Sequence, residues 1–166
     1  MNYIEQTKSE GEEILAYFNI NQWAYLGIYL QGIIALLIIG LSFTLKIDFS
    51  ELKDIVSPDM IYKIFRFMGL IVLGRTIFSY LMLNSINMGV TDQRIAFKKG
   101  IVSRDTNEIR LGAVETVEVE QSVLGRLLGF GNVRITGKGE ALIIFKDIDN
   151  PLVVKRDLAS VLNHYT

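Results

Sequence analysis

The chain of 166 residues is 50% apolar and only 21% charged, with a formal net charge of −1, one histidine and no cysteine. Residues 1–85 carry a net charge of −2 and residues 86–166 a net charge of +1, so neither half has the positive field that nucleic-acid binding draws on. The missing cysteines exclude disulfides, thiol nucleophiles and thiolate metal sites, and a lone His164 excludes a histidine-based metal cluster within one chain.

The apolar residues are bunched. No charged residue occurs from Ile14 to Leu45, a pattern foreign to an ordinary cytosolic enzyme. Residues 1–21 form an amino-terminal segment in which EEILAYF is expected to lie on a membrane surface, or to be a loop, before a break at Asn19-Ile20-Asn21. Trp23 to Leu45 then gives about 34 Å of helix, enough to cross a hydrocarbon layer of about 30 Å. A signal peptide is the rival reading. It fails because Glu12-Glu13 stand where a basic region belongs, the apolar run is too long, and no small-residue cleavage site follows.

In the segment 46–57, DFSELKDIV has the pattern of a short surface helix capped by Ser50, or of a loop. Ser57-Pro58-Asp59 predicts the start of a second span, with a cap, a first-turn proline and a first-turn acid. Helical patterning runs to Asn84, about 40 Å. Arg66 sits near enough to the helix start to snorkel toward headgroups, whereas Arg75 falls mid-span.

Counting residues from the loop places Arg75 level with Gln31, the one strongly polar side chain inside the first helix. At 100° per residue, Ala24, Gly27, Gln31, Ala35 and Ser42 share one stripe. Met68, Val72, Arg75, Ser79 and Met82 form the matching stripe of the second helix. The expected contact is an Arg75–Gln31 clamp within the chain, and two alternatives stay open: a subunit interface, or a polar path. Lys8, Arg94, Lys98, Lys99 and Arg104 on the side of the termini outnumber Lys46, Lys53 and Lys63 in the loop. That bias predicts a multi-pass protein of the cell membrane with both termini cytoplasmic.

From Asn87 the period shortens to two. Strand runs are broken at Asp92-Gln93 and Lys99-Gly100, VLGRLLGFG makes a compact turn, and Gly137-Lys138-Gly139 forms the tip between NVRIT and ALIIF. Asn150-Pro151 starts a closing helix. The expected fold class is therefore α+β: a two-helix transmembrane hairpin (spans 22–45 and 58–84, domain 22–85), then a small antiparallel β-barrel capped by a helix (86–166).

VTDQRIAFKKG (90–100), IRLGAVETVEVEQSVLGRLLGFGNVRITG (109–137) and IDNP (148–151) resemble the bacterial pleckstrin-homology-like (PH) domains attached to two membrane helices. With the hairpin, the likeness covers residues 20–163. It implies a PH-like split barrel on the cytoplasmic face and brings no catalytic residues with it. PH domains that bind phosphoinositides often do so through a basic loop between the first two strands. Here Lys98 and Lys99 are the candidates for anionic-lipid contact, against a plain solvated turn. Arg126 is a candidate to grip a carboxylate or a lipid phosphate, against a surface salt bridge. Gly125, Gly129 and Gly131 fit neither a nucleotide P-loop nor a dinucleotide fingerprint, and read as bends. The acidic pairs Glu118/Glu120 and Asp147/Asp149 lack a companion base, so no catalytic residue, metal or cofactor is expected.

The leading functional reading is a non-catalytic module anchored in the lipid bilayer, presenting a PH-like domain to a protein partner or to further copies of itself. A small accessory or pore-forming subunit of a transport assembly, motivated by Arg75, is the alternative. An anionic-lipid-binding module is the third.

Overall fold

The switch of period marks a junction in the chain. In the computed structural model, which describes residues 3–44 and 57–165, a short helix α1 (Tyr3–Thr7) and a strand β1 (Ile14–Phe18) come first. A 3₁₀ turn (Gln22–Tyr25) then leads into helix α2 (Leu26–Thr44), and helix α3 (Pro58–Asn84) follows. The surface helix expected within 46–57 lies outside the described residues, except for Ser57. The Ser57 carbonyl accepts the Met60 and Ile61 amides and so opens α3 where the sequence placed its start.

The chain divides into two compact units: Tyr25–Leu81, and Met1–Ala24 together with Met82–Thr166. In the helical unit, small residues set the seam. A Cβ on Gly69 would lie 2.5 Å from Ile39 Cγ1 and 3.4 Å from the Ala35 carbonyl oxygen, so Ile39 packs into the space that a side chain would fill. Gly32 faces Thr76 in the same way. Ala35 and Ser42 are buried, as the first stripe predicts. On α3 Gly69 and Thr76 are buried and Val72, Ser79 and Met82 of the expected stripe are half-buried, while Met68 and Arg75 are exposed. One position along a helix is a rotation of about 100°, and it turns Arg75 off the seam.

Arg66, expected to snorkel toward headgroups, reaches the last turn of α2. Its Nε donates to Ser42 Oγ at 3.3 Å, its Nη2 to the Ser42 carbonyl at 3.2 Å, and its guanidinium lies 3.8 Å from the centre of the Phe43 ring. Both helices are long and apolar enough to cross a membrane. Away from the seam they are bare, with Leu36 58% and Phe67 65% exposed.

The other unit is built from two antiparallel sheets. The first has the order β1–β2–β3–β4, with β2 (Asn87–Thr91), β3 (Arg94–Lys99) and β4 (Asp105–Arg110). The second has the order β5–β6–β7, with β5 (Val114–Glu120), β6 (Phe130–Gly137) and β7 (Ala141–Asp149). A one-turn helix α4 (Val123–Leu128) links β5 to β6, and α5 (Pro151–Tyr165) follows β7 and lies against β5 and β6. Val90 and Ile95 from one sheet, Val133, Ile143 and Phe145 from the other, and Leu158 from α5 meet in a single core.

Two expectations change here. The barrel is not closed: the described strands form two separate sheets, and the 3₁₀ turn Leu111–Ala113, with Leu111 buried, carries the chain from one to the other. The ILAYF stretch is not a surface helix. It is β1, paired antiparallel with β2 through Tyr17↔Gly89 and Phe18↔Met88. Its continuation stitches the sheets together: Asn21 N donates to the Asp147 carbonyl at 2.8 Å, and Asp149 N donates to the Asn19 carbonyl at 3.0 Å. The supposed break at Asn19-Ile20-Asn21 is thus a corner between sheets, and the amino-terminal segment belongs to the sheet unit.

Candidate functional site

The basic residues singled out in the sequence fall into different surroundings. Lys98 lies near the end of β3, and its Nζ donates at 3.1 Å to the carbonyl of Ser85, the residue that follows α3. Asn87 Nδ2 donates to the same carbonyl at 3.1 Å. The Ser85 hydroxyl accepts the Gly100 N–H at 3.2 Å and donates to the Met82 carbonyl at 2.7 Å. A cation is favoured at the carbonyl end of a helix, so Lys98 has a structural task there. Lys99 is exposed.

Arg94, beside the β2–β3 turn, is the centre of the most elaborate polar cluster in the sheet unit. Its Nε donates to Glu12 Oε1 at 2.9 Å and its Nη2 to Glu12 Oε2 at 3.2 Å. Nη2 also donates to the Thr7 carbonyl at 2.6 Å, and Nη1 pairs with Glu108. Glu12 is only 3% exposed. Burial raises its pKa, but the Ser9 N–H, the Arg94 guanidinium and the Thr91 hydroxyl outweigh burial and hold the carboxyl below its ordinary value. Burial works against the charged form of Arg94 as well, and Glu12 and Glu108 overcome it. The cation at the first sharp hairpin is therefore committed to two carboxylates. Neither Glu12 nor Glu108 stood out in the sequence as a partner, since both lie in polar stretches that resemble solvated surface.

Arg126 projects from the last turn of α4, exposed. With Lys155, Gln121 and Asn150 it lines an open groove of about 740 Å³ between α4 and the start of α5. Of the lining residues Leu152 is bare, and on α4 Val123 is 85% exposed, Leu127 80%, and Leu124 is bare as well. Five large apolar residues (Val153 is the fifth) beside two cations make this edge suited to contact rather than to catalysis.

Gln31 is half-buried on α2 and Arg75 exposed on α3. Among the described residues no hydrogen bond joins them. Of the acidic pairs, Glu120 lies 3.7 Å from Arg134 in an exposed ion pair, and Asp149 accepts from Asn21 and Asn150. No group of three His, Cys, Asp or Glu among the described residues is placed to hold a metal ion.

The profile of the bacterial PH domain matches residues 18–166, a stretch that takes in both apolar helices, β2 to β7 and α5. The chain belongs to the bacterial PH domain family. Neither the curated proteins nor the solved structures contain a match.

Within this PH domain the GRLLGFG stretch is a packing device. Ser122 Oγ accepts the Gly125 N–H at 3.0 Å, and Gly129 ends α4 in the left-handed region. Gln121 Nε2 bridges the Gly125 and Phe130 carbonyls at 3.1 and 3.0 Å. A Cβ on Gly125 would lie 2.5 Å from the Phe130 carbonyl oxygen, which is backbone and cannot give way. Gly125→Val should therefore destabilise the domain by about 1–3 kcal/mol, the usual cost of overpacking, read as a lower midpoint in thermal unfolding. An unchanged midpoint would mean that α4 is free to move off the sheet.

Proposed function

We propose that this bacterial PH domain chain is a membrane-anchored, non-catalytic interaction module. In this reading α2 and α3 cross the bilayer as a hairpin and hold the two-sheet domain at the cytoplasmic face, where the α4–α5 edge receives a protein partner. The observation that carries the proposal is the bareness of the two helices. A core helix of a water-soluble protein is covered by its neighbours, whereas Leu36, Phe67 and Leu70 are each more than half exposed. In water such a surface would associate, and in hydrocarbon it is matched to its surroundings.

The partner surface is argued from charge and shape. Arg126 and Lys155 beside bare leucines suit a protein segment that offers apolar side chains together with a carboxylate. A second reading, a small subunit of a transport assembly, rests on the exposed position of Arg75 within an apolar helix.

The absence of cysteine makes labelling clean. In intact cells an impermeant maleimide should label Lys53→Cys, and should reach Lys138→Cys only after permeabilisation. The opposite pattern overturns the cytoplasmic placement. Release of the chain from membranes by alkaline carbonate overturns the anchor itself.

A further inference from the structure

The loop between β3 and β4 combines two features that a water-facing turn rarely carries together. Its tip is apolar, with Ile101 46% and Val102 95% exposed. Its flanks are basic: Lys98 and Lys99 precede the tip and Arg104 follows it, with Asp105 the one carboxylate nearby, paired across the ladder from Lys99. Lys98 is engaged on the Ser85 carbonyl, which leaves Lys99 and Arg104 as the outward cations.

The base of this loop is tied by hydrogen bonds to Ser85. The candidate span ends at Asn84, so Ser85 lies at the bilayer surface by connectivity alone once α3 crosses it. The Gly100 N–H bonds the Ser85 hydroxyl, and Lys98 Nζ bonds its carbonyl. Val102 is two residues beyond Gly100, a reach of at most about 7 Å. The headgroup layer on each side of the hydrocarbon is itself about 5–7 Å thick. The Ser85 bonds therefore keep Val102 within about 10 Å of the Ser85 hydroxyl, near enough for the tip to reach that layer.

We propose that the β3–β4 loop is a lipid-docking tip. Ile101 and Val102 enter the interfacial layer of the leaflet in which α3 ends, and Lys99 and Arg104 engage the phosphates of anionic lipids. The inference rests on the anchoring reading and extends it: the domain is held by its helices and is also seated on the surface by a second contact. An apolar tip between cations is the composition of an interfacial anchor, in which burial and attraction to an anionic leaflet act together.

The test uses the full chain in nanodiscs of phosphatidylcholine, with and without phosphatidylglycerol. An environment-sensitive fluorophore is placed at Val102→Cys, with Lys138→Cys as the control. Gly137 packs against Ile109, so the control position lies toward the other end of β4 from the loop. The Val102 probe should shift to shorter wavelength and be quenched by lipids carrying a nitroxide near the headgroup, more so with phosphatidylglycerol, and the Lys138 probe should do neither. Lys99→Gln and Arg104→Gln should each weaken the anionic-lipid dependence about fivefold.

A Val102 probe that stays water-like and unquenched in discs overturns the docking tip and leaves the anchor standing. A shift that persists in detergent and resists the lipid quencher shows a second copy or another protein on the loop, and also overturns it. Failure of the chain to enter discs removes the anchor and this inference together.

Discussion

Replacing Arg94 by leucine should cost the sheet unit about 3–5 kcal/mol, the range for removing one member of a buried ion pair. Glu12 is 3% exposed and would lose its counter-charge, with only the Ser9 N–H and the Thr91 hydroxyl left to offset the burial of its carboxyl. Leucine would also release the Thr7 carbonyl and Glu108, leaving the Glu13–Asp92 and Tyr3–Glu108 hydrogen bonds to hold the amino-terminal segment. For a chain of this length the loss corresponds to a fall in Tm of roughly 6–20 °C, measurable by circular dichroism in detergent. Glu12→Leu combined with Arg94→Leu should recover much of the loss, because no buried charge then stands alone. A single-variant loss below about 1 kcal/mol would class the cluster with ordinary surface pairs.

The same cluster sets a pH dependence with a definite sign. The folded-state pKa of Glu12 lies below its ordinary value of 4.5. Its contribution is therefore complete above that value and is lost as pH falls through the lower, folded-state value. The native chain should lose Tm on acidification below pH 4.5 more steeply than the double variant, which has no carboxyl there to protonate.

Periodicity made much of this fold legible. The limits of α3, the start of β2 at Asn87, the Gly137–Gly139 tip and the start of α5 at Pro151 all follow from local patterns of apolar spacing, caps and glycines. What stayed hidden is non-local. ILAYF is too short to declare its own type, and it becomes a strand only because β2 lies beside it after two long helices have intervened. Glu12 and Arg94 meet across 82 residues, a pairing that no local pattern encodes. A meander of seven short strands suits a closed barrel and two packed sheets equally well, because local alternation does not say which edges pair. On α3 the apolar residues surround the helix almost uniformly, so charge and small residues had to set the phase. Arg75 pointed to one face, while Gly69 and Thr76 occupy the next.

That rotation gives Arg75 the other large expected effect. It is exposed, and so are Ile71 and Phe78, its neighbours one turn away on either side, each by more than half. A guanidinium at the centre of a span costs about 2.5–3.5 kcal/mol by insertion measurements, and more for an isolated helix. No bond to Gln31 within the hairpin offsets that cost among the described residues, so the offset is expected from a second copy or from water. Arg75→Leu should therefore improve membrane insertion of the α3 segment by about a hundredfold, read by glycosylation mapping, while abolishing self-association in detergent ultracentrifugation. Arg75→Lys should restore association only in part, since an ammonium lacks the planar fork. Gln31→Leu should give the same assembly defect if its amide is the acceptor in a second copy. A double-mutant cycle should then show coupling of about 0.6–2 kcal/mol. Assembly unchanged by Arg75→Leu would exclude the intermolecular contact. A simultaneous change in ion permeability of reconstituted vesicles would turn the residue toward a water-filled path, and with it toward the transport reading.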